Sequence, residues 1–162
     1  GLLTSRRLDI KIIEKIATLK PDWNLVLVGP EEDCFKESKL HSYDNVHFLG
    51  SKEPEELPAY VNGFDVCINP QIINELTKGN YPRKIDEYLA AGKFIVATYT
   101  PTMEVFKDYC YLAISPINYV KLIEKGLKEN NKKLAEQRSL FASSHSWENN
   151  ARLIWESLDA AA

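Results

Sequence analysis

The sequence predicts an α/β fold: a doubly wound parallel sheet, Rossmann-like, in a three-layer α/β/α sandwich with extra helices at the carboxyl end. Three observations carry this. Short apolar runs recur at Leu25–Val28, Val46–Leu49, Val66–Ile68, Phe94–Ala97 and Tyr111–Ile114. Most are continuous rather than alternating, the pattern of strands covered on both faces. Helical patterns separate several of them, and such alternation implies right-handed crossovers between parallel strands.

Each element has its own signal. Leu8, Ile12, Ile13, Ile16 and Leu19 recur at helical spacing. Strand Leu25–Val28 closes on Gly29-Pro30, and strand Val46–Leu49 on Gly50. Leu57, Tyr60, Val61 and Phe64 make the next helical stripe. Asp65–Ile68 is a strand ended by Asn69-Pro70, because proline has no N–H for a ladder. A loop leads to a helix from about Pro82 to Ala91. Pro82 suits a first helical turn and Gly92 the position just past the end. Ile85, Tyr88 and Leu89 face the sheet. After strands Phe94–Ala97 and Tyr111–Ile114, Val120, Ile123 and Leu127 mark another helix. Lys128–Lys133 reads as a charged, solvated connection. From Asn131 to Leu158 the chain is helical, with a break near Ser143-Ser144-His145. There Leu153, Ile154 and Leu158 form an apolar stripe, and Trp147 and Trp155 are large enough to anchor it.

Composition bounds the function. With 162 residues, 44% hydrophobic and 27% charged, residues 1–162 read as one domain able to build a core. A net charge of −3 without a basic stripe argues against nucleic acid, whose binding depends on phosphate neutralisation. Cys34, Cys67 and Cys110 are widely spaced and point to a reducing, cytoplasmic setting; Cys67, in an apolar run, is a core residue. His41, His47 and His145 lie far apart, so no metal site is expected. No stretch reaches the roughly 18 apolar residues of a membrane span. The opening on Gly1 in mid-pattern implies part of a longer protein.

The stretch Asn74–Lys93 mixes glycine, proline, basic and acidic residues between two buried strands. In a doubly wound sheet, ligands bind beyond the carboxyl ends of strands where the strand order reverses. If a first strand precedes Leu8–Leu19, Asp65–Ile68 is the fourth, and the loops Gly1–Arg7 and Asn69–Arg83 flank the reversal. The first carries Thr4, Ser5, Arg6 and Arg7; the second carries Lys78, Gly79, Asn80, Arg83 and Lys84. Basic, glycine-bearing loops at a helix start make an anion site, because free N–H groups and the helix dipole point the same way. Glu87, one turn in, is placed to accept hydrogen bonds from hydroxyls. A phosphate site beside a hydroxyl acceptor describes a nucleotide diphosphate with its ribose. On pattern alone, Lys84 and Glu87 read equally as a surface i, i+3 pair worth about 0.2–0.5 kcal/mol.

The order of signals resembles the C-terminal, donor-binding domain of a GT-B glycosyltransferase of the family-4-like type (glycosyltransferase group 1), over nearly the whole chain. "DWNLVLVGP" (Asp22–Pro30), "NVHFLGSKEPEELPAYVNGFDVCINP" (Asn45–Pro70), "YPRKIDEYLAAGKFIVAT" (Tyr81–Thr98), "SWENNARLIWESL" (Ser146–Leu158) and "GLLTSRRLD" (Gly1–Asp9) carry it. The resemblance implies one half of a GT-B fold and a hexosyltransferase that works with retention; with basic residues at the diphosphate and no D-x-D in the chain, no metal is needed. The donor would be a UDP- or GDP-sugar. It implies that Glu87 holds ribose hydroxyls, that Arg6 contacts the diphosphate, and that Lys84 with Gly79, Asn80, Tyr81, Pro82 and Arg83 cradles diphosphate and sugar. Gly29 and Pro30 would lie near the nucleotide, and Leu49, Gly50 and Ser51 beside the base. Arg6, Lys84 and Glu87 are then the catalytic set. Eight residues before Glu87, where the family has another glutamate, stands Gly79, and the nearest upstream acid is Glu75.

The implied role is sugar transfer in surface polysaccharide or lipid-linked glycan synthesis. The acceptor would sit on an N-terminal domain outside this chain, in the cytoplasm or at the inner face of the membrane. Two other readings stand beside it: a GT-B nucleotide-sugar 2-epimerase, which needs acids and a histidine around the sugar, and a non-catalytic nucleotide-binding domain. The sheet itself poses a question. The strand before Leu8 is reduced to Gly1–Leu3, so either those residues pair partly or a neighbouring chain supplies pairing.

Overall fold

Asp9 starts the first helix. Its carboxylate accepts the Lys11 N–H at 3.0 Å and caps α1 (Ile10–Leu19), which buries Ile12, Ile13, Ile16 and Ala17. Leu8, expected inside this helix, instead bridges Gln71 in antiparallel fashion. The capping carboxylate sets the boundary, and Leu8 ties the first loop to the later one. The structure, a computed structural model, describes residues 1–145 and 147–159, apart from the side chains of Trp147, Asn150 and Leu153.

The strands are parallel. β1 (Leu25–Leu27) pairs with β2 (Val46–Phe48), Leu25 opposite Val46. β3 (Val66–Asn69), β4 (Phe94–Thr98) and β5 (Tyr111–Ala113) form a second group with β4 between the others. Every residue of β4 is buried, and its side chains alternate between two cores. Phe94 and Val96 join Ile13, Ile16 and, from α5 (Pro116–Glu129), Tyr119 and Ile123. Ile95 and Ala97 join Ile85 and Leu89 of α4 (Arg83–Ala90) with Phe106. Helices thus cover both faces, and burying each such side chain contributes about 1.5–3 kcal/mol. The remaining helices are α2 (Asp33–Lys36), which buries Phe35; α3 (Leu57–Gly63), beside Phe64; α6 (Lys132–Ser143), against α4; and α7 (Trp147–Asp159).

Between β1 and β3, where a central strand belongs, lies a groove of about 370 Å³. The first residues fill only its end. The Gly1 amino group donates to Val28 O at 2.9 Å, and Leu3 bridges Glu31 in parallel. The expected partial pairing is therefore present, while Leu25 and Val26 still face Val66 and Ile68 across the opening.

Two expectations at the carboxyl end are corrected. α5 runs through Glu129 and α6 begins at Lys132, so the connection shrinks to Asn130-Asn131, while all of Lys128–Lys133 is exposed as expected. Asn131 makes the short break possible by capping Leu134 N–H, and Asn130 Oδ1 accepts from buried Arg138 at 2.8 Å. The α6–α7 break falls near Ser144, as expected. On α7, however, Ile154, Trp155 and Leu158 are exposed rather than packed. Both faces of the sheet are already covered, by α1 with α5 and by α4 with α6. The expected roles of Trp147 and Leu153 fall on side chains outside the described residues.

Candidate functional site

The site forms where two loops are knotted together at the carboxyl ends of β3 and β4. Asn74 organises the longer loop. Its Oδ1 accepts the N–H groups of Leu76 at 2.9 Å and Thr77 at 3.0 Å, and its Nδ2 donates to Arg6 O at 3.0 Å. Ile72 N–H donates to Arg7 O and Asp9 N–H to Pro70 O. Buried Gln71 donates to Thr77 O at 2.9 Å. Thr102 closes the far side by donating to Asn80 O at 3.2 Å. A loop of mixed polarity is thereby held rigid at the start of α4.

At that start Pro82 is the N-cap residue, buried, and no side chain caps the helix. Gly92, at φ +69°, ends the element as expected. Two adjoining cavities share Asn80, Tyr81 and Arg83 as walls. The smaller, about 270 Å³, adds Arg7, Thr77, Pro82 and Lys84. The larger, about 600 Å³, adds Asp86, Glu87, Val105 and His145.

The charges in this cleft are unevenly matched. Lys84 is half-buried and, among the described residues, makes no ion pair within 4.0 Å. Burial lowers its pKa below the ordinary 10.5; nearby Glu87 works against that lowering and Arg7 adds to it. Asp86 is matched instead with His145, Nδ1 to Oδ1 at 2.9 Å, and the Tyr81 hydroxyl lies 3.5 Å from the same nitrogen. Burial, followed by the hydrogen bond to Asp86, raises the Tyr81 pKa. A cation short of a counter-ion at a helix start that no side chain caps can hold an anion, and Glu87, exposed in the adjoining cavity, can accept hydroxyls.

The expected residues fall in two places. Asn80, Tyr81, Pro82, Arg83, Lys84 and Glu87 gather around the α4 start. Gly79 stands just outside, and a side chain at its Cα would meet open space. Arg6 is exposed and lines neither cavity, whereas Arg7 lines the smaller one. Gly29, Pro30, Leu49, Gly50 and Ser51 cluster at the ends of β1 and β2, where Gly29 N–H donates to Gly50 O at 2.9 Å. The missing Cβ of Gly29, at φ +144°, leaves room for the main chain of Gly1. Asp86, His145, Gln71 and Thr77 were not foreseen. The fold brings His145 to Asp86, in the cavity that Glu87 also lines. No local signal marks a contact across 59 residues.

Comparison with known proteins identifies the family and the fold. Residues 7–127 match the family described as glycosyl transferases group 1. The Bacillus subtilis (strain 168) protein TuaH, whose name assigns it to teichuronic acid biosynthesis as a glycosyltransferase, is 33% identical over 150 residues, covering 87% of this chain and 37% of its own length. The structure of Anabaena Alr3699/HepE in complex with UDP superposes with a TM-score of 0.77 at 19% identity, covering 99% of this chain and 47% of that one. Its complex with UDP-glucose gives 0.74 at 18% identity, over 99% and 47%. The pneumococcal O-GlcNAc transferase GtfA with UDP and GlcNAc gives 0.70 at 12% identity, over 98% and 35%. The chain thus spans less than half the length of these relatives. Its fold is that of one half of a GT-B glycosyltransferase, and the chain belongs to the group 1 glycosyl transferases.

Proposed function

We propose that this chain is the donor-binding half of a glycosyltransferase that moves a sugar from a nucleotide diphosphate to an acceptor in surface polysaccharide or glycan synthesis. One observation carries the reading: half-buried Lys84, without an ion pair among the described residues, stands in the first turn of α4 near Arg7 and Glu87. A diphosphate supplies the missing counter-charge. The UDP and UDP-glucose bound by HepE, and the UDP bound by GtfA, support a uridine donor. The name of TuaH supports a polysaccharide product.

In this reading Glu87 accepts the ribose hydroxyls, and Asn80, Tyr81 and Arg83 border the diphosphate and sugar. Gly29, Pro30, Leu49, Gly50 and Ser51 border the base. As transfer begins, the bond from the anomeric carbon to the diphosphate lengthens and negative charge gathers on the leaving oxygen. Lys84, Arg7 and the first-turn amides of α4 stabilise that charge without reorganising. Arg6, exposed on the first loop, contributes long-range attraction. The acceptor and any base belong to an N-terminal half outside this chain. We assign the reaction to the cytoplasm, where the three free thiols stay reduced. Among the described residues no helix is long and apolar enough to cross a membrane.

Titration calorimetry tests the site. The expected result is UDP binding with a Kd on the order of 0.1 mM, weakened about tenfold by Glu87→Ala, with no sugar transfer by the isolated chain. Absence of binding, or equal binding by Glu87→Ala, overturns the assignment.

A further inference from the structure

A folded chain tolerates a buried polar side chain when its hydrogen bonds are made inside the protein. Among the described residues the buried polar side chains obey this with one exception. Thr4 Oγ1 accepts from Arg6 N–H, Gln71 donates to Thr77 O, and Thr77 Oγ1 accepts from Asn74 N–H. Thr98 meets the Tyr119 hydroxyl, Thr100 meets Thr102, and Arg138 donates to Asn130 Oδ1. Asn69, only 3% exposed, bonds through its main chain: its carbonyl accepts from the Tyr119 hydroxyl at 2.7 Å and from Gln71 N–H at 2.8 Å. Its side-chain amide has no hydrogen-bond partner among the described residues. No side-chain atom sealed from solvent lacks a partner there, so the amide looks into open space. Strand alternation puts it on the Cys67 side of β3, the side that α4 covers. The open space is the smaller cavity, about 270 Å³, which Asn69 lines at the start of α4.

The other residues of that cavity define the ligand. Arg7, Arg83 and Lys84 line it, and no carboxylate does. An amide N–H beside these cations, at a helix start that no side chain caps, suits an acceptor with negative charge. We propose that Asn69 is a further binding residue of the donor site, and that its Nδ2 donates to a non-bridging oxygen of the diphosphate. The inference rests on the nucleotide-diphosphate reading above and adds to it a neutral, buried contact. Asn69 is fixed before the ligand arrives. Its main chain ends β3 opposite Ala97 of β4, and Tyr119 holds its carbonyl. Lysine and arginine side chains are long and adjust to an anion, whereas an amide on a paired strand has one place to be. The diphosphate therefore gains the bond with little ordering cost.

Asn69→Leu keeps the size of the side chain and removes the amide. Without ligand its Tm should be unchanged or raised, because a buried amide with no partner disfavours folding. Titration calorimetry should show UDP and inorganic pyrophosphate each weakened about tenfold, a shared loss because both carry the diphosphate. Asn69→Asp keeps the shape and turns a negative charge to the ligand. It should lose at least as much, and it decides the matter if the leucine variant does not fold. A lowered Tm with both affinities intact marks a structural amide and overturns the proposal. So does a loss confined to UDP, which places the contact on the nucleoside. Weakening by Glu87→Ala with neither Asn69 variant altered overturns this inference and leaves the donor site in place. No UDP binding by the unaltered chain overturns the donor reading, and pyrophosphate then tests Asn69 by itself; binding of neither overturns both.

Discussion

Lys84 is charged in a half-buried position, and the sign of its pKa shift says what that charge does. Its folded-state pKa is lowered, so the ammonium form disfavours folding below that value, and the cost fades as pH rises through it toward 10.5. Replacing the charge with Lys84→Met should leave the Tm unchanged or raised at pH 7 while weakening UDP binding about tenfold. A melt and a calorimetric titration check both halves, and a lowered Tm would mean the charge is already paired. UDP affinity of the unaltered chain should fall with rising pH before 10.5, while Lys84→Arg keeps its affinity because guanidinium stays charged. Gly126 is the opposite case, a residue that must lack a side chain. A Cβ there would lie 1.7 Å from Phe94 Cζ, whose ring is held edge-on to Tyr111 and under Arg138. Gly126→Ala should gain about 1 kcal/mol of helix propensity yet lose about 1–3 kcal/mol to overpacking, a net loss visible in denaturant unfolding. Neither environment is visible in the residue types. Lysine and glycine recur elsewhere in the chain, and only long-range packing singles these two out.

At the scale of elements, α4 was legible because its ends carry their own chemistry. Pro82 fixes φ before the first turn and Gly92 takes the left-handed conformation after the last. The loop before it was legible as polar and rigid, but not in its wiring. Asn74 satisfies two N–H groups of its own turn and reaches across to Arg6 O. Asn74→Ala should therefore cost about 1–2 kcal/mol of stability and loosen the Asn80–Pro82 wall, lowering UDP affinity. Asn74→Asp keeps the two accepted bonds and loses the donated one, so it should fall between, in both denaturation and calorimetry. α7 marks the limit of periodicity. Its apolar stripe is real in the sequence, but Ile154, Trp155 and Leu158 find no partner face among the described residues.

At the scale of the molecule, Tyr119 binds layers together. From α5 its hydroxyl donates to Asn69 O on β3 at 2.7 Å and meets Thr98 Oγ1 on β4 at 2.8 Å. Tyr119→Phe leaves buried Thr98 without that partner and should cost about 1–3 kcal/mol, measured by urea unfolding. The two buried thiols report the same integrity. Burial pushes both Cys67 and Cys110 up to about 12. At pH 8 iodoacetamide should therefore modify half-buried Cys34 well before either, and equal labelling of all three would show the core open.

The order of strands and helices, and the helix start that carries the cleft, were determined by the sequence alone. Hydrophobic period, proline and glycine act over a few residues and need no partner to be read. The pairing of His145 with Asp86, the placement of Arg7 rather than Arg6 on the cleft wall, and the exposure of Ile154, Trp155 and Leu158 were decided only by tertiary structure. Each depends on which distant segments the packed sheet brings within bonding distance, and no short-range pattern encodes that.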